Sequence, residues 1–349
     1  MQESIHQVPA VEDHDPNAEQ RKQDHIELAF KSQVLSQSLD QRFYYEPILA
    51  AHPQAGSFPK IDFLGSTFDV PLWVSSMTGG TQMANTINHN LAKACGEFGF
   101  GMGLGSCRSL LTSDEYLPDF QVKQLMPDQP LYANLGIAQL EQLLKVGNYE
   151  AIPELLAKLQ ADGLIIHVNP MQEAMQPEGD IFEKSPLETI KTLLDTYDFP
   201  MMVKEVGQGM GFESLKALLQ LPLAAVDFAA SGGTNFALLE LLRSEKEKLD
   251  TYRGFTHIGH SAEEMVDMVN DLQQQIQDSI QVKHIIISGG IKTFLDGFYL
   301  INKIQFNAVY GQASAFLKHA QGSYSDLQHY VASQVRGLEL ANAFLKIKG

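Results

Sequence analysis

Eight short apolar or glycine-rich runs set what this chain can fold into. They fall at Leu72–Ser75, Gly99–Gly105, Leu131–Asn134, Gly163–Val168, Met201–Lys204, Ala224–Phe228, His284–Ser288 and Ala308–Tyr310. Each has the length of a strand buried on both faces. Most gaps carry a helical pattern, as at Ala84–Phe98, Ile152–Gln160, Glu213–Leu219 and Ala262–Ile276. Strands alternating with helices build βαβ units and a parallel sheet. Eight such units over about 250 residues match a closed (β/α)8 barrel better than an open sheet.

The flanks complete the domain reading. Residues 1–20 are polar and aperiodic, and are expected to be a mobile tail. Residues 21–70 are read as an N-terminal segment packing on the barrel, with a short amphipathic helix near Arg21–Phe30 and a hairpin-like lead-in broken by Pro47, Pro53, Gly56 and Pro59. Residues 71–349 form the barrel. One gap, residues 234–283, is long, and holds two helical stretches around Thr251–His260. An insertion of this kind (residues 249–261) between the sixth and seventh strands suits a lid or a contact surface.

A barrel of this type carries its chemistry at the C-terminal ends of its strands. The exit of the fourth run is the most polar: His167, Asn169, Gln172 and Glu173 follow Leu164-Ile165-Ile166 within a few residues, and Pro170 stops the strand. Six of the eight exits are glycine-rich. Ser288-Gly289-Gly290-Ile291 and Gly311-Gln312-Ala313 stand after the seventh and eighth strands, where barrels hold phosphate on free backbone N–H groups; tight turns alone are the plainer alternative. Lys204 ends the fifth run. A lysine there is costly unless it meets an anion. It reads as a Schiff-base amine, a cation beside a ligand gaining negative charge, or an ion pair with Glu205; the second is favoured, because Glu205 opposes the neutral amine. Glu173 suits Mg2+, which keeps its waters and shares substrate oxygens, or simply a helix start. His167 reads as a site histidine or a satisfied core one. No His/Cys spacing suggests zinc.

Composition excludes some classes. A net charge of −17 opposes a nucleic-acid surface. Two cysteines, Cys95 and Cys107, make no disulfide framework. No stretch is long and apolar enough for membrane insertion. A cytoplasmic enzyme is the expectation.

The segments RKQDHI (from Arg21), MTGGT, GLGSCR, ANLG, HVNPMQE, VKEVG, SGGTN and SGGIK occur in this order. Together they resemble the type 2, FMN-dependent isopentenyl-diphosphate isomerases of isoprenoid biosynthesis. RKQDHI and HVNPMQE are the specific elements; the glycine motifs are shared with other FMN barrels. The resemblance implies a (β/α)8 fold, FMN, Mg2+, NADPH as the reductant of the flavin, and a homo-oligomer, tetramer or octamer. It implies that Ser76, Met77, Thr78 and Gly79 line the flavin. Ser106, Asn134 and Lys204 contact its ring or ribityl chain. Ser231, Thr234, Gly289, Gly290, Ile291, Gln312 and Ala313 hold its tail and phosphate. Arg21, Lys22, Ser106 and Arg108 bind a substrate diphosphate; His167, Asn169 and Gln172 face the substrate, His167 and Gln172 as catalytic residues; Glu173 binds Mg2+. Phe236 and Met171 stand where the family often has Trp and Leu. The rival on the same barrel is an FMN-dependent oxidoreductase of the hydroxyacid-oxidase type, and a second is a flavin- or phosphate-binding barrel without turnover.

Overall fold

The structure is a computed structural model that describes residues 17–76 and 82–348. These fall into two compact units, residues 17–43 with Lys348, and residues 44–347. In the first unit a helix spans Ala18–Leu28. Its amides pair one turn apart, Gln20 with Asp24 and Gln23 with Glu27, both at 2.8 Å. Such i,i+4 contacts support an exposed helix with little core to bury. The helix starts before the expected boundary at residue 21, so Ala18–Gln20 belong to it and not to the tail.

The second unit is a closed, wholly parallel barrel. Its strands are β1 (Leu72–Val74), β2 (Gly101–Gly103), β3 (Leu131–Gly136), β4 (Gly163–His167), β5 (Met201–Lys204), β6 (Ala225–Asp227), β7 (His284–Ser288) and β8 (Ala308–Gln312). All eight expected runs are staves, in chain order, and β8 closes on β1. The interior is packed. Trp73 of β1 is fully buried, and β2 makes room for it: a Cβ at Gly101 would stand 2.5 Å from the indole. Helix starts are written locally. Ser185 with Glu188, Ser261 with Glu264 and Thr293 with Asp296 each close a capping box.

The lead-in to β1 is a hairpin, Ile61–Phe63 against Ser66–Phe68, turned by Leu64 and Gly65 at φ 52° and 80°. Its Phe63 and Phe68 are fully buried. The insertion after β6 holds three α-helices, Phe236–Arg243, Lys246–Tyr252 and Ala262–Ile276, where the sequence pattern shows two. The short middle helix has no buried residue to give it a periodic signature. Gln208, beyond β5, donates to the carbonyls of Phe255 and Ile258 at 3.1 and 2.6 Å, fastening the insertion over the strand exits.

Candidate active site

The register places a row of unusual residues at one height. Gly136 pairs with His167, His167 with Lys204, and Lys204 with Asp227. Residues paired in register share a face, so these side chains point together into the barrel mouth. Gly136 leaves room for the imidazole: a Cβ there would lie 2.7 Å from His167 Nε2. Asn134 Nδ2 donates to the Leu104 carbonyl at 3.1 Å, which turns its Oδ1 to His167 Nδ1 at 2.8 Å. That arrangement assigns the proton to Nδ1 and leaves Nε2 its lone pair. Burial, with the positive charge of Lys204, pushes the His167 pKa down to about 3. The ring is therefore neutral at neutral pH.

Lys204 is 8% exposed. It donates to the backbone carbonyl of Glu205 at 2.8 Å. The Lys204–Glu205 ion pair weighed from the sequence is not what the fold builds. The Glu205 carboxylate accepts instead from the backbone N–H groups of Gly207, Gln208 and Gly209 at 2.7, 2.6 and 3.0 Å, and so shapes the turn after β5. Burial pushes the Glu205 pKa up against those hydrogen bonds. Asp227 is fully buried. Its Oδ1 accepts from the Ser288 hydroxyl and from the Ala229 N–H; its Oδ2 has no partner among the described residues.

Above this row opens a cleft between the loops after β6, β7 and β8. Of the residues expected to hold a cofactor, Ser76, Lys204, Thr234, Gly289, Gly290, Ile291, Gln312 and Ala313 line it; so do Ser75, Gly232, Gly233, Phe236, Ser288 and Lys292. The double-glycine turns pack backbone on backbone. Gly289 has φ +90°, and a Cβ on it would lie 2.0 Å from the Ala230 carbonyl oxygen. A Cβ on Gly232 would lie 3.1 Å from Gly290 Cα. The N–H groups of Gly232, Gly233, Gly290 and Ile291 meet no protein acceptor among the described residues. Clustered free donors suit a phosphate. The hydroxyls of Ser75 and Ser76 are buried with no partner among the described residues, which suits a polar ligand over the floor. Gln312 bridges two elements: its Nε2 donates to the Ile291 carbonyl at 3.3 Å and its Oε1 accepts from the Tyr330 hydroxyl at 3.0 Å. Ser231 stands outside the lining; its N–H and hydroxyl are used on His260 and Gln208 carbonyls.

The opposite rim starts from the helix Pro170–Met175. Proline at its first position loses only a donor that would be unpaired there. Asn169, buried just before it, donates to Gln172 Oε1 at 3.1 Å and Glu173 Oε1 at 2.8 Å. Glu173 Oε2 accepts from the Asp180 N–H at 2.8 Å. Asp180 in turn accepts from Arg108 at 3.2 Å and Gln139 at 3.0 Å. Asn169, Gln172, Glu173 and Arg108 are thus joined through Asp180. Asn169 Oδ1 is buried with no partner among the described residues, while its Nδ2 holds Glu173 Oε1. That pair fits a hard cation sharing a substrate's oxygens; among the described residues no group of three His, Cys, Asp or Glu could hold a metal alone. Met171 packs with Met175, Ala237, Leu241 and Leu249; of the two apolar exchanges, only Phe236 reaches the cleft.

Ser106 is exposed just beyond β2. Arg21 and Lys22 lie on the helix of the N-terminal unit. Met77, Thr78 and Gly79 lie outside the described residues. Asp227, Asp180, Gln139 and Ser75 are not among the candidates the sequence singles out, while Ser288 enters only as part of a phosphate-type turn. Only Asp227 carried a signal: a lone carboxylate inside the apolar run Leu223–Ala230, the same anomaly that marked Lys204.

No known family profile matches the chain. Curated relatives do. It is similar to the isopentenyl-diphosphate delta-isomerase of Rickettsia felis, 34% identical over 331 residues, covering 92% of this chain and 91% of the relative. It is also similar to the protein of that name from Rickettsia typhi, 33% identical over 311 residues, 86% of each. Among solved structures it shares its fold with flavocytochrome b2 with pyruvate bound, at TM-score 0.58 and 15% identity, covering 86% of this chain and 72% of that one. A mandelate oxidase with (S)-mandelic acid aligns at TM-score 0.52 and 12% identity, over 88% and 86%. Among the described residues no helix is long and apolar enough to cross a membrane.

Proposed function

The chain belongs to the isopentenyl-diphosphate delta-isomerase family, and from that premise we propose that it interconverts isopentenyl and dimethylallyl diphosphate with reduced FMN in the cleft and Mg2+ on the diphosphate. The observation that carries the reading is relatedness along nearly the whole chain, rim and cleft together. The reaction moves a double bond, so one carbon gains a proton and another loses one. An unactivated alkene is a very weak base and ordinary side chains are poor acids for it; reduced FMN, held in the cleft, would supply the acid and base. NADPH serves only to reduce the flavin.

Each residue then has a task. The N–H groups of Gly232, Gly233, Gly290 and Ile291, with Thr234, Gly289, Gln312 and Ala313, hold the flavin tail and phosphate. Ser76, Met77, Thr78, Gly79, Ser106 and Asn134 bind its ring and ribityl chain. Lys204, lining the cleft floor, would favour the anionic reduced form of a ring held there. Arg21, Lys22, Ser106 and Arg108 bind the substrate diphosphate, with Glu173 as the protein ligand of Mg2+. His167, Asn169 and Gln172 orient the substrate. His167 stays neutral and offers an acceptor at Nε2. The clamp turns a bimolecular encounter into a held geometry. The assembly is a homo-oligomer, a tetramer or an octamer, and the enzyme works in the cytoplasm.

The test is an anaerobic assay of the full chain with isopentenyl diphosphate, Mg2+ and FMN reduced by a limiting amount of NADPH. Many dimethylallyl diphosphate molecules per NADPH are expected. One NADPH consumed per product would place the chain with the FMN oxidoreductases, and a flavin-bearing protein without product would end the isomerase reading.

A further inference from the structure

We propose that Asp227 is the counter-charge that holds Lys204 as a cation at the floor of the cleft, a positioning residue that touches no ligand. The two are register partners on β5 and β6, so their side chains share the interior face. Lys204 is 8% exposed and Asp227 is 0% exposed. A cation in so dry a place needs a compensating charge. Glu205, its nearest carboxylate in sequence, is already used by three backbone N–H groups of its own turn. Asp227 is held by the Ser288 hydroxyl and the Ala229 N–H, and its Oδ2 takes no hydrogen bond from the described residues. No hydrogen bond joins Asp227 to Lys204 among the described residues. Both groups are buried, and charges that are buried or partly buried are screened less than exposed ones. The Lys204 charge accordingly works against the burial that pushes the Asp227 pKa up.

The consequence for the cofactor rests on the flavin reading above. With Asp227 ionised the floor is nearly neutral, and this tempers the preference of Lys204 for an anionic ring. The pairing itself is tested without flavin, by urea unfolding of the full chain in a double-mutant cycle. Asp227→Asn is expected to raise the unfolding constant roughly thirtyfold beside Lys204 and only a few-fold in the Lys204→Met background. Equal effects in both backgrounds overturn the proposal. Should Asp227→Asn alone fail to fold, recovery of folding in the double variant supports the pairing, and failure of the double variant overturns it. A second measurement titrates oxidised and reduced FMN onto the wild type and Asp227→Asn. The variant is expected to prefer the reduced form about tenfold more, a rise of about 30 mV for two electrons; an unchanged or opposite preference overturns the role toward the ring. A wild-type chain that binds no FMN removes the flavin reading, while the unfolding cycle still decides the pair.

Discussion

His167 is held neutral by burial and by the Lys204 charge, and this has a measurable sign. Its folded pKa, about 3, lies below its ordinary 6.5. Between these values the unfolded chain binds the extra proton. The contribution to stability is therefore complete above about pH 6.5 and declines as the pH falls toward 3. From pH 7 to pH 5 the flavin-free protein should lose about 2 kcal/mol through this residue. Chemical denaturation of His167→Gln over that range should lack this loss; identical pH profiles would refute it. Glu173 makes a second prediction. Its oxygens are shared between Asn169 and the Asp180 N–H, so the carboxylate is aimed before any cation arrives. Glu173→Gln should weaken the apparent Mg2+ affinity by at least about tenfold, the scale on which even outer-shell partners act. An unchanged Mg2+ titration removes it as the ligand. Both residues were visible in the sequence because polar side chains crowded the end of an apolar run. Asp180 was not, because an acidic loop residue looks like any solvated one until Arg108 is seen beside it.

At the scale of elements, the turns after β6 and β7 illustrate how a local signal acquires a purpose. Paired glycines in a sequence are ordinary turn chemistry. Here Gly289 leaves no room for a Cβ and Gly232 only a tight fit, so the two loops pack closely. Gly289→Ala should cost on the order of 3 kcal/mol or more, from strain at φ +90° and a backbone collision that neither partner can relieve. It should also weaken FMN binding, read by fluorescence quenching of added FMN; wild-type stability with wild-type binding would mean the loops are not so constrained. Strand positions were legible, since all eight runs are buried on both faces and lack polar alternation. Strand limits were less so: β2 spans three residues within a seven-residue run, because glycine runs extend into the turns. The middle helix of the insertion escaped because it has no fully buried residue and leaves no apolar period.

For the whole molecule, the barrel gathers the cleft and the polar exit after β4 at the C-terminal ends of its strands, and the proposed diphosphate contact of Arg21 makes a separate prediction. Arg21→Ala should raise the KM for isopentenyl diphosphate by about ten- to a hundredfold, the value of a charge-assisted contact, while FMN stays bound. Loss of flavin instead would make that segment structural. The sequence by itself determined the barrel, its order of staves and most of the cleft, because apolar periodicity and glycine placement act locally and are written residue by residue. Only the tertiary structure decided that Lys204 shares its strand face with Asp227 and donates to the Glu205 backbone rather than its carboxylate, that His167 is a neutral acceptor, and that Arg108 is tied to Asp180. Those facts follow from strand register and burial, which join residues far apart in the chain. The polar exit after β4 thus holds two kinds of information: its residue types came with the sequence, and their partners came from closing the barrel.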